Sequence, residues 1–365
     1  MQISAAVIKE QGGAFCIEDC ELDSPRANEV MVEVEAAGVC HTDIAARDQY
    51  MPVPLPAVLG HEGVGRILQL GEGVSEFAVG DRVLMSFGSC GQCKNCLRAA
   101  PGYCDQGLVY QVLGSRTDGS SPISQHGNAI TGHFFAQSSF ASHAIAATQN
   151  MVPLANDLDP ILMAPLACGV QTGMGSVLLS MAAESGSSIC ILGCGTVGLS
   201  AIAAAKIAGC SPIIAVDIMD SRLEMARELG ATHCIRGDQG SLLKALQQLG
   251  GIDYALDTTG VPAVADAAFQ TLKPRGCLVC VGVGKPGAQL SIDMGLLMAT
   301  GKQIRGAIEG DAVPRDFIPR MIEFYRAGQL PLEKLVTRYA FEDINQAVAD
   351  TLSGKVIKPV LSIKR

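Results

Sequence analysis

Between residues 186 and 282 the chain alternates short apolar runs with helical stretches, and this alternation most limits what it can fold into. "SSICIL" reads as a strand covered on both faces, "TVGLSAIAAAKIAG" as a helix, "PIIAVDI" as a strand and "DSRLEMARELG" as a helix. The pattern continues through the strand-like "THCIRG", a helix near "SLLKALQQLG", the strand "IDYALDTTG", the helix "VPAVADAAFQTLK" and the strand "GCLVCVGV". Units of this kind build a doubly wound parallel sheet in an α/β fold.

Between the first strand and the first helix lies "GCGTVG", which places Gly193, Gly195 and Gly198 in a G-x-G-x-x-G pattern around Thr196 and Val197. Gly193 permits the tight turn, Gly195 lets a pyrophosphate approach the backbone, and Gly198 lets helix and strand pack closely. The helix N-terminus offers N–H groups and a positive dipole to the phosphates. Asp217 ends the next strand, 24 residues beyond Gly193. A carboxylate there binds a ribose 2′-hydroxyl and repels a 2′-phosphate, which favours NAD over NADP.

The remainder is organised differently. The first 150 residues look β-rich and turn-rich. "EVMVEVEAAGV" has the alternation of a half-buried strand, and "GVGRILQLGEGV" and "VGDRVLMSF" read as further strands. The last fifty residues, with helical "PRDFIPRMIEFYRAG" and strand-like "KVIKPVLSI", look like a return to this first domain. A length of 365 residues suits two domains. The net charge of −9, with no basic cluster, argues against a nucleic-acid or anionic-membrane partner. "MQISAAVIKEQGG" does not read as a secretory signal. Residues 161–183 carry no charge and are long enough for a bilayer, but Pro165, Gly169, Gly173 and Gly175 break them. We expect a buried, irregular segment leading into the second domain.

Fourteen cysteines remain to be placed. Cys90, Cys93, Cys96 and Cys104 follow C-x2-C-x2-C-x7-C spacing, and four thiolates on one loop can close a tetrahedron around zinc. Disulfides are the rival reading, disfavoured in a chain with no export signal. A zinc-ribbon nucleic-acid module is disfavoured by the negative charge. Cys40 in "GVCHTD", His61 in "LGHEG" and Cys168 in "PLACGVQTG" are scattered. Each alone reads equally well as a core cysteine or a turn histidine.

Together these pieces resemble the zinc-dependent alcohol dehydrogenases of the medium-chain dehydrogenase/reductase family. The resemblance covers nearly the whole chain. It rests on "GVCHTD", "PAVLGHEGVG", "VGDRV", the four-cysteine loop, "CGVQTG", "LGCGTVGLSA" and "GKVIKPVL", in the family's order and spacing. "ARDQYMPVPLPAVLGHEG", "FFAQSSFASHA" and "FEDINQA" further resemble the bacterial aryl-alcohol (benzyl-alcohol) dehydrogenases. The resemblance implies a GroES-like catalytic domain over residues 1–169 and 313–365, with a Rossmann domain inserted over 170–312. It implies two zinc ions per subunit. The structural one is held by Cys90, Cys93, Cys96 and Cys104. The catalytic one is held by Cys40, His61 and Cys168, a Cys2His set whose fourth position takes water or substrate. Asp43 matches a carboxylate that holds the zinc histidine, and Glu62 one that approaches the metal when ligands exchange. In the cofactor half, Asp217 matches the ribose-binding residue and Arg222 a cation facing the adenosine ribose. His41 and Lys358 match pyrophosphate contacts, and Thr172 and Val197 match positions beside the nicotinamide.

The implied activity is reversible, NAD-dependent oxidation of aromatic or allylic primary alcohols to aldehydes. Zinc makes an alkoxide accessible near neutral pH, and the carbon passes hydride to the nicotinamide. Thr42 falls where the family has a relay hydroxyl. Many members carry a histidine five residues after the first zinc cysteine, and this chain has Ala45. Arg47 matches the aryl-alcohol group. A guanidinium is no base at neutral pH, so we expect it to position cofactor or water. Phe87 is a candidate pocket wall and equally a candidate core residue. The expected protein is a cytoplasmic homodimer or homotetramer, pairing through an edge strand near "KQIRGAI". Other readings are a glutathione-dependent formaldehyde dehydrogenase, a general primary alcohol dehydrogenase, or a non-catalytic dinucleotide-binding regulator.

Overall fold

The computed structural model describes residues 1–363, and the chain divides into two units. The first contains residues 1–168, 313–323 and those from Pro331 onward; the second contains residues 169–312 and 324–330.

The first unit is built on two sheets. In the larger, Glu29–Gly38 is central: it pairs antiparallel with Gly63–Leu70, His143–Ala147 and Lys358–Ser362. Arg82–Met85 and Met151–Pro153 extend one side, and Val336–Ala340 lies parallel to Lys358–Ser362 on the other. The smaller sheet orders Ala57–Val58, Gln2–Ile8, Cys16–Leu22, Ile123–Gln125 and Asn128–Ala129. Its core joins Ile8, Val32, Ile67, Phe140, Ile145 and Leu361.

The central strand corrects the expectation of a half-buried surface, because every position but Glu33 is buried. Its acidic residues do not mark a wet face. Glu29 takes the Arg116 guanidinium through both oxygens, at 2.7 and 2.9 Å. Glu35 takes Arg66 at 3.1 Å and Arg82 at 2.9 Å. Charge pairing thus buries carboxylates whose alternation looks solvent-directed in sequence.

Beside the Glu29–Arg116 pair lies His133, 3% exposed, with no hydrogen-bond partner on Nδ1 among the described residues. Burial pushes its pKa down to about 4; Glu29 pulls it up and Arg116 pushes it down. The folded state therefore refuses a proton that the unfolded chain takes below pH 6.5. Stability is full above pH 6.5 and falls as pH drops toward 4, by about 2–3 kcal/mol at pH 4.5. Urea titration of the parent and of His133→Leu at pH 7 and 4.5 reads this directly. The acid-induced loss is expected to shrink by that amount in the variant, and an unchanged loss would overturn the assignment.

The second unit carries one sheet of six parallel strands. Its spatial order is His233–Arg236, Ile213–Asp217, Ile189–Leu192, Ile252–Asp257, Leu272–Cys280 and Gln303–Gly306. In chain order this is 3-2-1-4-5-6, the doubly wound arrangement of dinucleotide folds. Helices Thr196–Ala208, Asp220–Leu229, Leu242–Gln248 and Pro262–Thr271 fall where the sequence places them. Met294–Thr300 is a helix that the sequence reading did not include. Gln303–Gly306 is an edge strand, as expected for "KQIRGAI".

No single helix among the described residues is long and apolar enough to cross a membrane. The uncharged stretch after Asp159 is broken into Pro160–Met163, Ala164–Ala167, Gly169–Gly175 and Ser176–Ser180.

Candidate functional site

Cys40 caps the N-terminus of a seven-residue helix, His41–Arg47, that follows the central strand. One turn along, Asp43 is fully buried and folds back on the cap. Its Oδ2 accepts the Cys40 amide at 2.9 Å, and its Oδ1 accepts the Gly60 amide at 3.1 Å. The same Oδ1 lies 2.9 Å from His61 Nδ1. That contact assigns the proton to Nδ1 and leaves a lone pair on Nε2. His61 is fully buried, and its Nε2 has no hydrogen-bond partner among the described residues. It belongs to a cluster with Cys40, Glu62 and Cys168 whose donor atoms all lie within 4.8 Å of one another. An orphaned imidazole nitrogen facing two thiols and a carboxylate is the donor set of a Cys2His zinc site. The residues fit that metal.

The charges around the cluster are arranged to match. A hydrogen bond from Cys168 holds the Cys40 thiol well below its ordinary range, against burial, and the Lys358 charge adds to the effect. Lys358 is itself buried. Its Nζ lies 2.6 Å from the Glu62 carboxylate and donates to the Val39 carbonyl at 3.1 Å. Burial works against its charge, yet Glu62 and Cys40 hold the ammonium above its usual range. Burial pushes Glu62 up to about 7, against the pull of Lys358. Gly38 makes room for this carboxylate, since a Cβ there would lie 1.9 Å from Glu62 Oε2. The sequence reading places Lys358 on a pyrophosphate; in the structure its ammonium is engaged by Glu62 inside the first unit.

Two features beside His61 escaped the sequence reading. Phe135 lies 4.7 Å from the imidazole, ring to ring, and Phe134 lies 5.8 Å away. They sit on a hook where Phe135, Ala136 and Ser138 all have left-handed backbones, with φ of 53°, 59° and 52°. Such strain persists only where surroundings over-determine it. Here Gln137 does so: its Nε2 donates to the carbonyls of His61, Met85 and Ser86 at 2.9 to 3.1 Å, and its Oε1 accepts the Gly63 amide at 3.0 Å. The doubled phenylalanine in "FFAQSSF" was the available signal, but nothing local encodes the hook.

Replacing Asp43 with Asn removes the charge that fixes the His61 ring. We expect zinc affinity and kcat/KM to fall about ten- to hundredfold, read by zinc retention against graded chelator and by steady-state kinetics. Retention equal to the parent would remove Asp43 from this role.

The other predicted residues of this unit lie nearby or apart as follows. Thr42 Oγ1 is 3.7 Å from Cys40 Sγ. His41 is exposed at the helix start. Arg47 is half-buried, with Nε on Asp48 Oδ1 at 2.7 Å. Phe87 is buried and borders a cavity of about 290 Å³ with Cys96, Leu97 and Asn150, on the side of the four-cysteine loop.

In that loop Cys90, Cys93, Cys96 and Cys104 form a second cluster, their sulfurs within 4.8 Å of one another. Cys93 and Cys96 sulfurs are 3.5 Å apart, and Cys90 and Cys96 sulfurs 3.9 Å. A disulfide needs about 2.05 Å, whereas four sulfurs about 2.3 Å from zinc stand about 3.8 Å apart. No disulfide joins any of the cysteines among the described residues. Backbone amides point at the sulfurs: Cys93 on Cys90, Asp105 on Cys93, and both Cys90 and Gln106 on Cys104. The Asp105 amide, helped by Cys96, brings the Cys93 thiol down to about 6.

The second unit holds the dinucleotide turn. Gly193 has φ of 89°, and a Cβ there would meet Thr258 Oγ1 at 2.4 Å. A Cβ on Gly198 would fall 1.8 Å from the Gly193 carbonyl, whereas Gly195 faces open space. Gly195 caps Thr196–Ala208 without a side-chain cap hydrogen bond. This cradle is open where a phosphate would lie. Val197 is the second residue of that helix. Asp217 closes its strand and braces the turn: Oδ2 accepts the Cys194 amide at 2.6 Å and Oδ1 the Met219 amide at 2.9 Å. Arg222 is buried close by; burial lowers its pKa and Asp217 opposes this. Thr172 is buried on the Gly169–Gly175 helix, and its hydroxyl donates to Glu309 at 3.3 Å.

Comparison with known proteins agrees with this geometry. Residues 26–156 match the alcohol dehydrogenase GroES-like domain model, and 196–327 match the zinc-binding dehydrogenase model. Geraniol dehydrogenase of Castellaniella defragrans is 41% identical, over 98% of this chain and 96% of its own. Among solved structures, an alcohol dehydrogenase zinc-binding domain protein from Burkholderia ambifaria is 43% identical with a TM-score of 0.97. Benzyl alcohol dehydrogenase of Acinetobacter calcoaceticus is 40% identical with a TM-score of 0.96. Both cover 100% of this chain and of their own.

Proposed function

Because the chain belongs to the zinc-dependent alcohol dehydrogenases of the medium-chain dehydrogenase/reductase family, with GroES-like and Rossmann units, we propose that it oxidises aromatic or allylic primary alcohols to aldehydes with NAD, reversibly. The observation that carries this is the orphaned His61 Nε2 among Cys40, Glu62 and Cys168. The aryl or allylic part draws support from Phe134 and Phe135 against His61. Relatives named for geraniol and benzyl alcohol point the same way, since both alcohols carry the hydroxyl carbon next to an unsaturated one.

Cys40, His61 and Cys168 would hold the catalytic zinc, and Cys90, Cys93, Cys96 and Cys104 the structural one. When bound, the catalytic zinc acts as a Lewis acid that lowers the pKa of the substrate hydroxyl. Asp43 keeps the His61 proton on Nδ1. The buried Phe134 and Phe135 rings back the His61 imidazole and shield it from water. Thr42 Oγ1, beside Cys40, takes the substrate's proton and hands it toward the cofactor ribose. Ala45 supplies no next station. Arg47, tied to Asp48, serves as a fixed cation that orients water or cofactor. Glu62 with Lys358 balances charge behind the cluster.

Gly193, Gly195, Thr196, Val197 and Gly198 would cradle the pyrophosphate, and Asp217 would accept the ribose hydroxyls through its remaining lone pairs. Arg222 would face the adenosine ribose, Thr172 would stand on the nicotinamide side, and His41 would supply a phosphate contact. The Gln303–Gly306 edge strand offers a pairing surface for a homodimer or homotetramer. A chain of fourteen cysteines with no disulfide among the described residues suits a reducing, cytoplasmic compartment.

The test is reduced-cofactor formation with benzyl alcohol, geraniol and ethanol, each with NAD and NADP. Benzyl alcohol or geraniol well ahead of ethanol, with NAD, is the expected result. Ethanol leading would overturn the substrate class, and NADP leading the role of Asp217.

A further inference from the structure

Residues 309–311 follow the last strand of the second unit with three consecutive left-handed backbones: φ is 53° at Glu309, 66° at Gly310 and 55° at Asp311. Two of the three are not glycine, so the segment is strained. It is braced on both sides. Arg305 holds Asp311 Oδ2 at 2.6 Å, and the Ser180 hydroxyl donates to the same oxygen at 2.7 Å. On the inner side the backbone lies directly on the Gly169–Gly175 helix. A Cβ on Gly175 would meet the Gly310 carbonyl at 2.6 Å, and one on Gly310 would meet the Gln171 carbonyl at 2.7 Å.

The strained turn delivers one group inward. Glu309 is 7% exposed, and its Oε2 accepts Gln171 Nε2 at 3.2 Å and Thr172 Oγ1 at 3.3 Å. Both contacts are donated to one oxygen, an arrangement that suits an ionised carboxylate. The next residue, Gly173, touches the opening of the dinucleotide helix, since a Cβ there would fall 2.1 Å from the Val197 carbonyl. A strained turn and two buried hydrogen bonds thus hold a carboxylate on the Gly169–Gly175 helix, which packs against the opening of the dinucleotide helix.

We infer that Glu309 sets the preference between oxidised and reduced cofactor, its buried carboxylate favouring the cationic nicotinamide of NAD⁺ over the neutral ring of NADH. The inference rests on the reading of Thr172 as a nicotinamide-side residue. A fixed charge in a dry site acts on charge over several ångströms, whereas the two cofactor forms are otherwise nearly the same shape. Glu309 thereby tilts the enzyme toward the alcohol-oxidising complex.

The experiment is direct binding of NAD⁺ and of NADH, by calorimetry, to the parent and to Glu309→Gln. The neutral variant is expected to bind NAD⁺ about tenfold more weakly and NADH as the parent does. A second pair guards against a folding defect. Glu309→Asp and Glu309→Asn both suit a left-handed backbone and differ from each other in charge alone. Asp is expected to keep the NAD⁺ preference and Asn to lose it. If neutral and charged variants share one NAD⁺-to-NADH affinity ratio, the inference falls and the dehydrogenase reading stands. If the zinc-replete parent binds neither cofactor, that reading falls and takes the inference with it.

Discussion

Substituting His61 with Gln is expected to lower kcat/KM for alcohol oxidation by on the order of 10³ or more, while the protein keeps its fold. Gln fills most of the buried volume beside Phe134 and Phe135, so the loss isolates the donor function of Nε2. Bound zinc should drop from about two per chain to about one. Turnover within tenfold of the parent, with both metals retained, would show that the Cys40–His61–Cys168 cluster is not the reaction centre. The prediction is strong because His61 has no other work to do. Its Nδ1 is taken by Asp43, its Nε2 makes no hydrogen bond among the described residues, and it is fully buried. A buried polar nitrogen without a partner is costly unless something outside the chain satisfies it.

Cys104→Ser should do the opposite, damaging stability more than chemistry. Cys104 is 7% exposed and takes the amides of Cys90 and Gln106, so it is the buried corner of the four-cysteine loop. Its three partner cysteines are half-buried. A zinc ion bound there would supply the ordering that burial cannot. Loss of one ligand is expected to release that zinc and cost at least about 5 kcal/mol, lowering the melting temperature by roughly 10 °C or more. The fraction that remains folded at low temperature should keep most of its alcohol turnover. A melting temperature within a degree or two of the parent would mean that the loop is ordered without metal. The two substitutions together separate the clusters, since each should spare what the other destroys.

How much of this was legible in the sequence depended on whether the signal was local. The parallel sheet was legible because each strand and helix carries its own periodicity, and the glycine turn because each glycine answers a steric demand within a few residues. The four-cysteine loop was legible from spacing. Cys40, His61 and Cys168 carry no spacing of their own, and only a resemblance joined them. The burial of Glu29 and Glu35 was hidden because Arg116, Arg66 and Arg82 come from elsewhere in the chain. Likewise, the Phe135 hook has non-glycine residues in left-handed conformations, which no local preference predicts. Lys358 illustrates the same limit, being attached to Glu62 across 296 residues of chain.

That last separation has a consequence for how the protein is made. The strand that carries Lys358 also pairs with Ala36, Ala37 and Gly38 at the end of the central strand. During synthesis, the edge of Glu29–Gly38 and the Glu62 carboxylate must wait for it. At about 5–20 residues per second the wait is roughly 15–60 s. Over that interval the nascent chain holds an open sheet edge and an uncompensated buried acid, the kind of surface that chaperones engage. Any event that stops translation within the Rossmann unit leaves the metal cluster without its cation. The strand Lys358–Ser362 therefore closes the edge that Ala36, Ala37 and Gly38 leave open.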